Sequence, residues 1–301
     1  MPQITFSNGT FEAGKPACPV ACRYCFITQH DARRAVWNAN PVAGLNKSST
    51  FLNVTPWIDD DPAEQARFRA LPWEVFTGDF VGFTAITDPF WPKLAYWLEY
   101  WLEHAAPVAK LVTCVSKWPI KRDVMARLAR IPTFLLVVGI TGNESIEQVP
   151  MQKHLETLSL AKEYGVKALP ISHPYIAGVS NLWFLEEIKK LGYDHFDVKG
   201  IRYCEAQMGG WMPEPSKRWY VGHEDEEILP EDGWRERVAD AGLTLLSPRL
   251  WYRREAAGRG PNLDRATAER YVGEVLKLAN VVSSGSNAEV IEAAITRRMA
   301  L

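Results

Sequence analysis

Thr133-Phe134-Leu135-Leu136-Val137-Val138-Gly139-Ile140 is the stretch on which the fold turns. It carries no charge and is rich in aliphatic side chains, so it reads as a strand buried on both faces rather than one. Such a strand needs helices above and below its sheet. The next segment supplies one. Over 149–164, Leu155, Leu158 and Ala161 recur at the spacing of a buried helical stripe, and Gly165 follows as a C-cap.

The same alternation extends in both directions. Apolar runs of strand length stand at 80–86, 110–115, 167–172 and 196–201, with an earlier one near 2–8. Helical periodicity occupies 91–104, 119–130 and 181–191. Counted together these make about six β/α units, which predicts an α/β fold built on a parallel sheet, a partial TIM-like (β/α)6 barrel. After Cys204 the pattern changes. Residues 205–262 are rich in Trp, Pro, Gly and charge, with a short helix expected near 231–241. Two helices close the chain, the second from a capping box of Ser286 and Glu289. The expected organisation is a barrel over 1–204 and a loop-plus-helix cap over 205–301 that carries substrate specificity.

Composition excludes several classes. The 301 residues are 47% hydrophobic, enough for a substantial core, and 34 basic against 36 acidic side chains leave a net charge of -2. That balance is no footprint of a general nucleic-acid binder. No apolar run approaches the roughly 18 residues of a membrane-spanning helix. The first fifteen residues lack the basic-then-apolar order of a secretory signal, so the expected compartment is the cytoplasm.

Of five cysteines, Cys18, Cys22 and Cys25 cluster as C-x3-C-x2-C in Cys18-Pro-Val-Ala-Cys22-Arg-Tyr-Cys25. An odd count without a signal argues against a disulfide framework. Three thiolates on one loop suit three irons of a [4Fe–4S] cube, leaving the fourth open to another ligand. A zinc knuckle completed by His30, or a purely structural iron–sulfur site, is the non-enzymatic alternative.

This motif, with Tyr24 at its aromatic position, resembles that of the radical S-adenosylmethionine (radical SAM) superfamily. The resemblance implies that Cys18, Cys22 and Cys25 hold one [4Fe–4S] cluster and that its open iron is chelated by the methionine part of SAM. An electron from the cluster then cleaves SAM to a 5′-deoxyadenosyl radical that abstracts hydrogen from a substrate. An external donor of the flavodoxin or ferredoxin type would supply the electron. Ile86-Thr87-Asp88-Pro89 stands where the family receives the methionine amino group, and its Thr-Asp-Pro form resembles the branch containing spore photoproduct lyase. The same branch has a Thr-Lys element after the next strand, matched here by Val112-Thr113-Cys114-Val115-Ser116-Lys117. By this resemblance Lys117, beside Ser116, meets the methionine carboxylate, Thr141 the ribose or carboxylate, and Tyr24 packs near the adenine. The turn His173-Pro174-Tyr175 resembles the family's turn beside the adenine.

Spore photoproduct lyase carries a hydrogen-donating cysteine just before its Thr-Ser-Asp element, whereas the matching stretch here is Thr84-Ala85-Ile86. This argues against a DNA-repair lyase. The expected substrate is a small or amino-acid-derived molecule, with a peptide or nucleic acid as the alternative. Cys114 reads as core. Cys204, at the end of the last strand, is either core or a hydrogen donor, and two further thiols are too few for a second cluster. Trp211, Trp219, Tyr220 and Trp234 either wall the barrel mouth or form a second hydrophobic cluster. The run His223-Glu224-Asp225-Glu226-Glu227 reads as a solvated face.

Overall fold

All seven residues of β6 (Phe134–Ile140) except Val137 are buried, the pattern of a strand covered on both faces. The structure is a computed structural model that describes residues 8–12, 20, 22–24, 44–45, 51–53, 66, 80–83, 88–92, 95–104, 111–202, 211–220, 227–228 and 233–246. Around β6 lie β1 (Asn8–Glu12), β2 (Gly44–Leu45), β3 (Phe51–Asn53), β4 (Phe80–Phe83), β5 (Leu111–Ser116), β7 (Lys167–Tyr175), β8 (His195–Arg202), β9 (Glu227–Ile228) and β10 (Thr244–Leu245). The sheet order is β10-β8-β7-β6-β5-β4-β1-β3-β2, with β9 also paired to β8. Every pairing from β10 to β3 is parallel, while β2 and β9 are antiparallel to their neighbours. The α/β class and the parallel sheet are as expected. The sheet path is open among the described residues: its ends, β2 and β10, do not pair with each other.

The helices are α1 (Ala95–His104), α2 (Arg122–Leu128), α3 (Met151–Tyr164), α4 (Leu185–Lys190), α5 (Glu214–Lys217) and α6 (Trp234–Asp240). Helix α3 ends where expected. Gly165 takes the left-handed conformation (φ 72), and Val166 N–H returns to the Ala161 carbonyl. Its buried face differs from the predicted stripe. Met151, His154, Leu158 and Ala161 face the interior, and Leu155 is only partly buried. A histidine thus occupies a core position.

Two prolines in β7 would ordinarily argue against a central strand, because each removes a ladder donor. The register accommodates the second. β7 advances from Ser172 to Tyr175 while β8 advances from Val198 to Gly200, so His173 and Pro174 sit in a bulge near the strand's C-terminal end.

Other differences from expectation lie at the sheet's margins. The first described strand is Asn8–Glu12, and the strand expected near 2–8 falls, but for Asn8, outside the described residues. The short β2 and β3 had no hydrophobic signature of their own. Beyond residue 204, α6 and β10 add another helix and parallel strand to the β8 edge, and Trp234, Val238 and Leu243 belong to the main core with Phe196 and Leu158. The closing helices expected after 262 lie outside the described residues.

Because Trp234 is 4% exposed within that shared core, Trp234→Ala should lower stability by about 3–5 kcal/mol. Urea unfolding followed by far-UV circular dichroism should show the main transition shifting as one. A separate minor transition moving alone would mean that 234–246 folds apart from the sheet.

Candidate functional site

Parallel strands deliver their C-terminal ends to one edge of the sheet, and the polar residues singled out in the sequence emerge there. Ser116 ends β5, Lys117 follows it, Thr141 follows β6, and half-buried His173 lies in the β7 bulge. Asp88, five residues past β4, is buried and joins the β4 and β5 ends. Its Oδ1 accepts from the Phe90 N–H (3.0 Å) and the Ser116 hydroxyl (2.9 Å). Its Oδ2 accepts from the N–H groups of Lys117 (2.7 Å) and Trp118 (2.9 Å). Burial pushes the Asp88 carboxyl up from its ordinary value, and these donors pull it back. The carboxylate is therefore occupied by the protein's own turn, which sets the direction in which Lys117 leaves the sheet.

Lys117 Nζ lies 2.7 Å from Glu147 Oε1 and 5.6 Å from the centroid of the Tyr24 ring. The other Glu147 oxygen accepts from the Thr141 hydroxyl at 2.6 Å. Gly139 of β6 makes room for the lysine, since a Cβ there would stand 3.1 Å from Nζ. His154 of α3 completes the group, with Nε2 3.8 Å from Glu147 Oε1. Burial pushes the His154 imidazole down to about 4, Glu147 opposing the shift and Lys117 adding to it. Neither Glu147 nor His154 was singled out in the sequence. The available signal was weak: an acidic residue six positions beyond the strand-end Thr141, in a loop with no motif.

Against this polar group packs the cysteine loop. The Arg23 N–H donates to the Ile146 carbonyl at 3.1 Å, one residue before Glu147. Val20, Cys22 and Tyr24 are buried in a second hydrophobic cluster with Ile146, Val149 and Ile176. Met212 and Tyr220 belong to the same cluster, and Trp211 and Trp219 pack on it. The Ala177 N–H donates to the Tyr220 hydroxyl at 2.7 Å, tying the segment 211–220 to the turn after β7. The four aromatics considered together in the sequence therefore divide. Three stand with the cysteine loop, while Trp234 belongs to the main core. Cys114 is 1% exposed in the main core, as its reading predicted.

The structure thus brings Cys22, Tyr24, Lys117 and Thr141 into one neighbourhood, with Asp88 and Ser116 behind it. Cys18, Cys25, Thr87 and Cys204 lie outside the described residues, as do His30 and His223–Glu226. Of the three motif cysteines only Cys22 is described, and no group of three or more His, Cys, Asp or Glu side chains able to hold a metal ion occurs among the described residues. No described helix is long and apolar enough to cross a membrane.

No protein-family model and no curated protein matches the sequence. Similar solved structures include Streptococcus suis SuiB bound to S-adenosylmethionine, with 15% identity over 65% of this chain and 39% of that one and a TM-score of 0.40. SuiB bound to precursor peptide SuiA matches at 13% identity over 79% of this chain and 52% of that one, with a TM-score of 0.42. Native anSMEcpe with bound AdoMet and Cp18Cys peptide matches at 11% identity over 89% of this chain and 59% of that one, with a TM-score of 0.33. This chain thus spans between 39% and 59% of the length of these proteins. At such scores the likeness carries no inference about activity, which rests on the residues of the chain itself.

Asp88→Asn replaces an acceptor with an N–H2 group facing backbone N–H donors, and should lower the unfolding free energy by about 2–4 kcal/mol in urea titration. His154 titrates near 6.5 in the unfolded chain and near 4 in the folded one. Below 6.5 only the unfolded chain takes up this proton, so stability falls between pH 6.5 and 4 and then levels. The loss should reach about 3 kcal/mol. Unfolding free energies of wild type and His154→Gln, measured across that range, should show the wild type with the steeper decline.

Proposed function

We propose that this chain is a radical SAM enzyme, in which Cys18, Cys22 and Cys25 hold one [4Fe–4S] cluster over the C-terminal ends of the strands. The observation that carries this reading is the docking of the Cys22–Tyr24 segment onto the loop holding Glu147, which sets the Tyr24 ring of the cysteine motif 5.6 Å from the Lys117 ammonium. When bound, the cluster and SAM supply one-electron chemistry that ends in hydrogen abstraction from the substrate.

The residues of the chain then have distinct tasks. Lys117, with Ser116 behind it, takes the methionine carboxylate as a compact point charge. Thr87 offers oxygen to the ammonium, and Asp88 contributes by holding the β4 and β5 ends together rather than by a free lone pair. Thr141 serves the ribose or carboxylate, while Tyr24 and the His173 turn serve the adenine. Met212 and Tyr220, with Trp211 and Trp219 against them, exclude water from the strand ends, which radical chemistry requires. Cys204 is the proposed hydrogen donor. The sheet is read as a partial (β/α)6 barrel over 1–204 with the remainder as a cap, working in the cytoplasm with a flavodoxin- or ferredoxin-type donor. A small or amino-acid-derived substrate is favoured by the near-neutral charge and by this apolar wall.

Anaerobic reconstitution with iron and sulfide should load about four irons per chain, and Cys22→Ala should abolish the loading. With a strong reductant the loaded wild type should convert SAM to 5′-deoxyadenosine. Uptake of zinc in place of iron, or a fully loaded cluster that forms no 5′-deoxyadenosine with any substrate pool, overturns the proposal. Faster turnover with peptides than with small molecules would replace the substrate assignment alone.

A further inference from the structure

Lys117–Glu147 is unlike the other lysine or arginine ion pairs among the described residues. Its side chains are 13% and 3% exposed, whereas pairs such as Arg122–Glu163 and Lys189–Asp194 lie in solvent on the outer helices. Exposed pairs contribute little to stability. A buried pair is often no better than apolar packing of the same volume, so stability gives little reason for one at this place. Its geometry gives a different reason. Glu147 is fixed from its other oxygen by the Thr141 hydroxyl, and its loop is fixed to the cysteine motif through the Ile146 carbonyl. Lys117 is fixed at its backbone by Asp88 and passes close beside Gly139, where a Cβ would stand 3.1 Å from Nζ. Its ammonium ends between the Glu147 carboxylate and the face of Tyr24, two residues from Cys22 and one from Cys25 in sequence.

We propose that Glu147 is a positioning residue for the SAM site: as an ion-pair partner it holds the Lys117 ammonium beside the cysteine loop, while the ammonium's N–H donors serve the ligand carboxylate. This rests on the radical SAM reading, and it adds a residue that no part of the cysteine motif specifies. A lysine has four rotatable side-chain bonds, so an unanchored Lys117 would have to be ordered by the ligand itself, weakening binding. Thr141 acts through the same carboxylate, which links the ends of β5 and β6 in one chain of contacts.

The test measures SAM affinity by equilibrium dialysis on the full, cluster-loaded chain, with iron content recorded for each variant. Glu147→Gln should bind SAM about tenfold more weakly than wild type with its iron content unchanged, and Glu147→Asp should recover most of the loss. Lys117→Met should weaken binding as well, and adding Glu147→Gln to it should weaken binding no further. In the chain without cluster, Glu147→Gln should raise the rate of Lys117 acylation several-fold, since the amine loses its partner. Wild-type affinity in Glu147→Gln, or equal losses that add in the double variant, overturns the positioning role. Should Glu147→Gln fail to take up iron, the double variant removes both charges together. Equality with Lys117→Met then supports the role, and a further loss overturns it. A wild-type chain that loads its cluster yet binds no SAM defeats the underlying functional reading instead, a separate and recognisable result.

Discussion

The carboxylate of Asp88 is the contact on which the strand-end geometry depends. Four donors converge on it, from the turn after β4, from Ser116 at the end of β5 and from the two residues that follow it. A buried acceptor so fully satisfied is hard to displace, because removing it would strand several N–H groups away from water. The consequence reaches beyond its own turn. From the pinned backbone of Lys117 its side chain runs past Gly139 to the loop after β6, where Glu147 receives it.

That loop ties the end of β5 to the cysteine motif. Glu147 receives the lysine and the Thr141 hydroxyl, and the neighbouring Ile146 carbonyl receives the backbone of the cysteine motif. Polar and apolar interactions divide the work here. Hydrogen bonds and the ion pair set direction, while the cluster around Val20, Tyr24, Ile176 and Tyr220 supplies area removed from water. Low dielectric strengthens the first as the second excludes solvent.

Much of this was legible before any coordinates. The uninterrupted apolar character of 133–140 required layers on both sides, and the helical period of 149–164 supplied one. Residues 111–116, 134–140, 167–175 and 195–202 are strands close to their predicted bounds. The errors have particular causes. Leu155 outranks His154 on hydropathy, yet His154 is the one that faces inward, with Nε2 3.8 Å from Glu147. Strands of two or three residues, such as β2, β3 and β10, are too short to carry a period of two. Trp234 was grouped with Trp211 and Trp219 by composition, which says nothing of which side of the sheet a side chain reaches.

The order of elements, the parallel sheet and the C-x3-C-x2-C loop belong to the linear chain, because periodicity and ligand spacing are local properties that survive without neighbours. The partnership of Asp88 with 116–118, and of Lys117 with Glu147, does not. These residues stand between 28 and 30 positions apart, on separate β/α units. No local pattern relates a turn after one strand to a loop after the next. Parallel pairing alone sets them on the same edge of the sheet, and burial then decides which polar groups must meet, since a charge left unpaired there is too costly to keep.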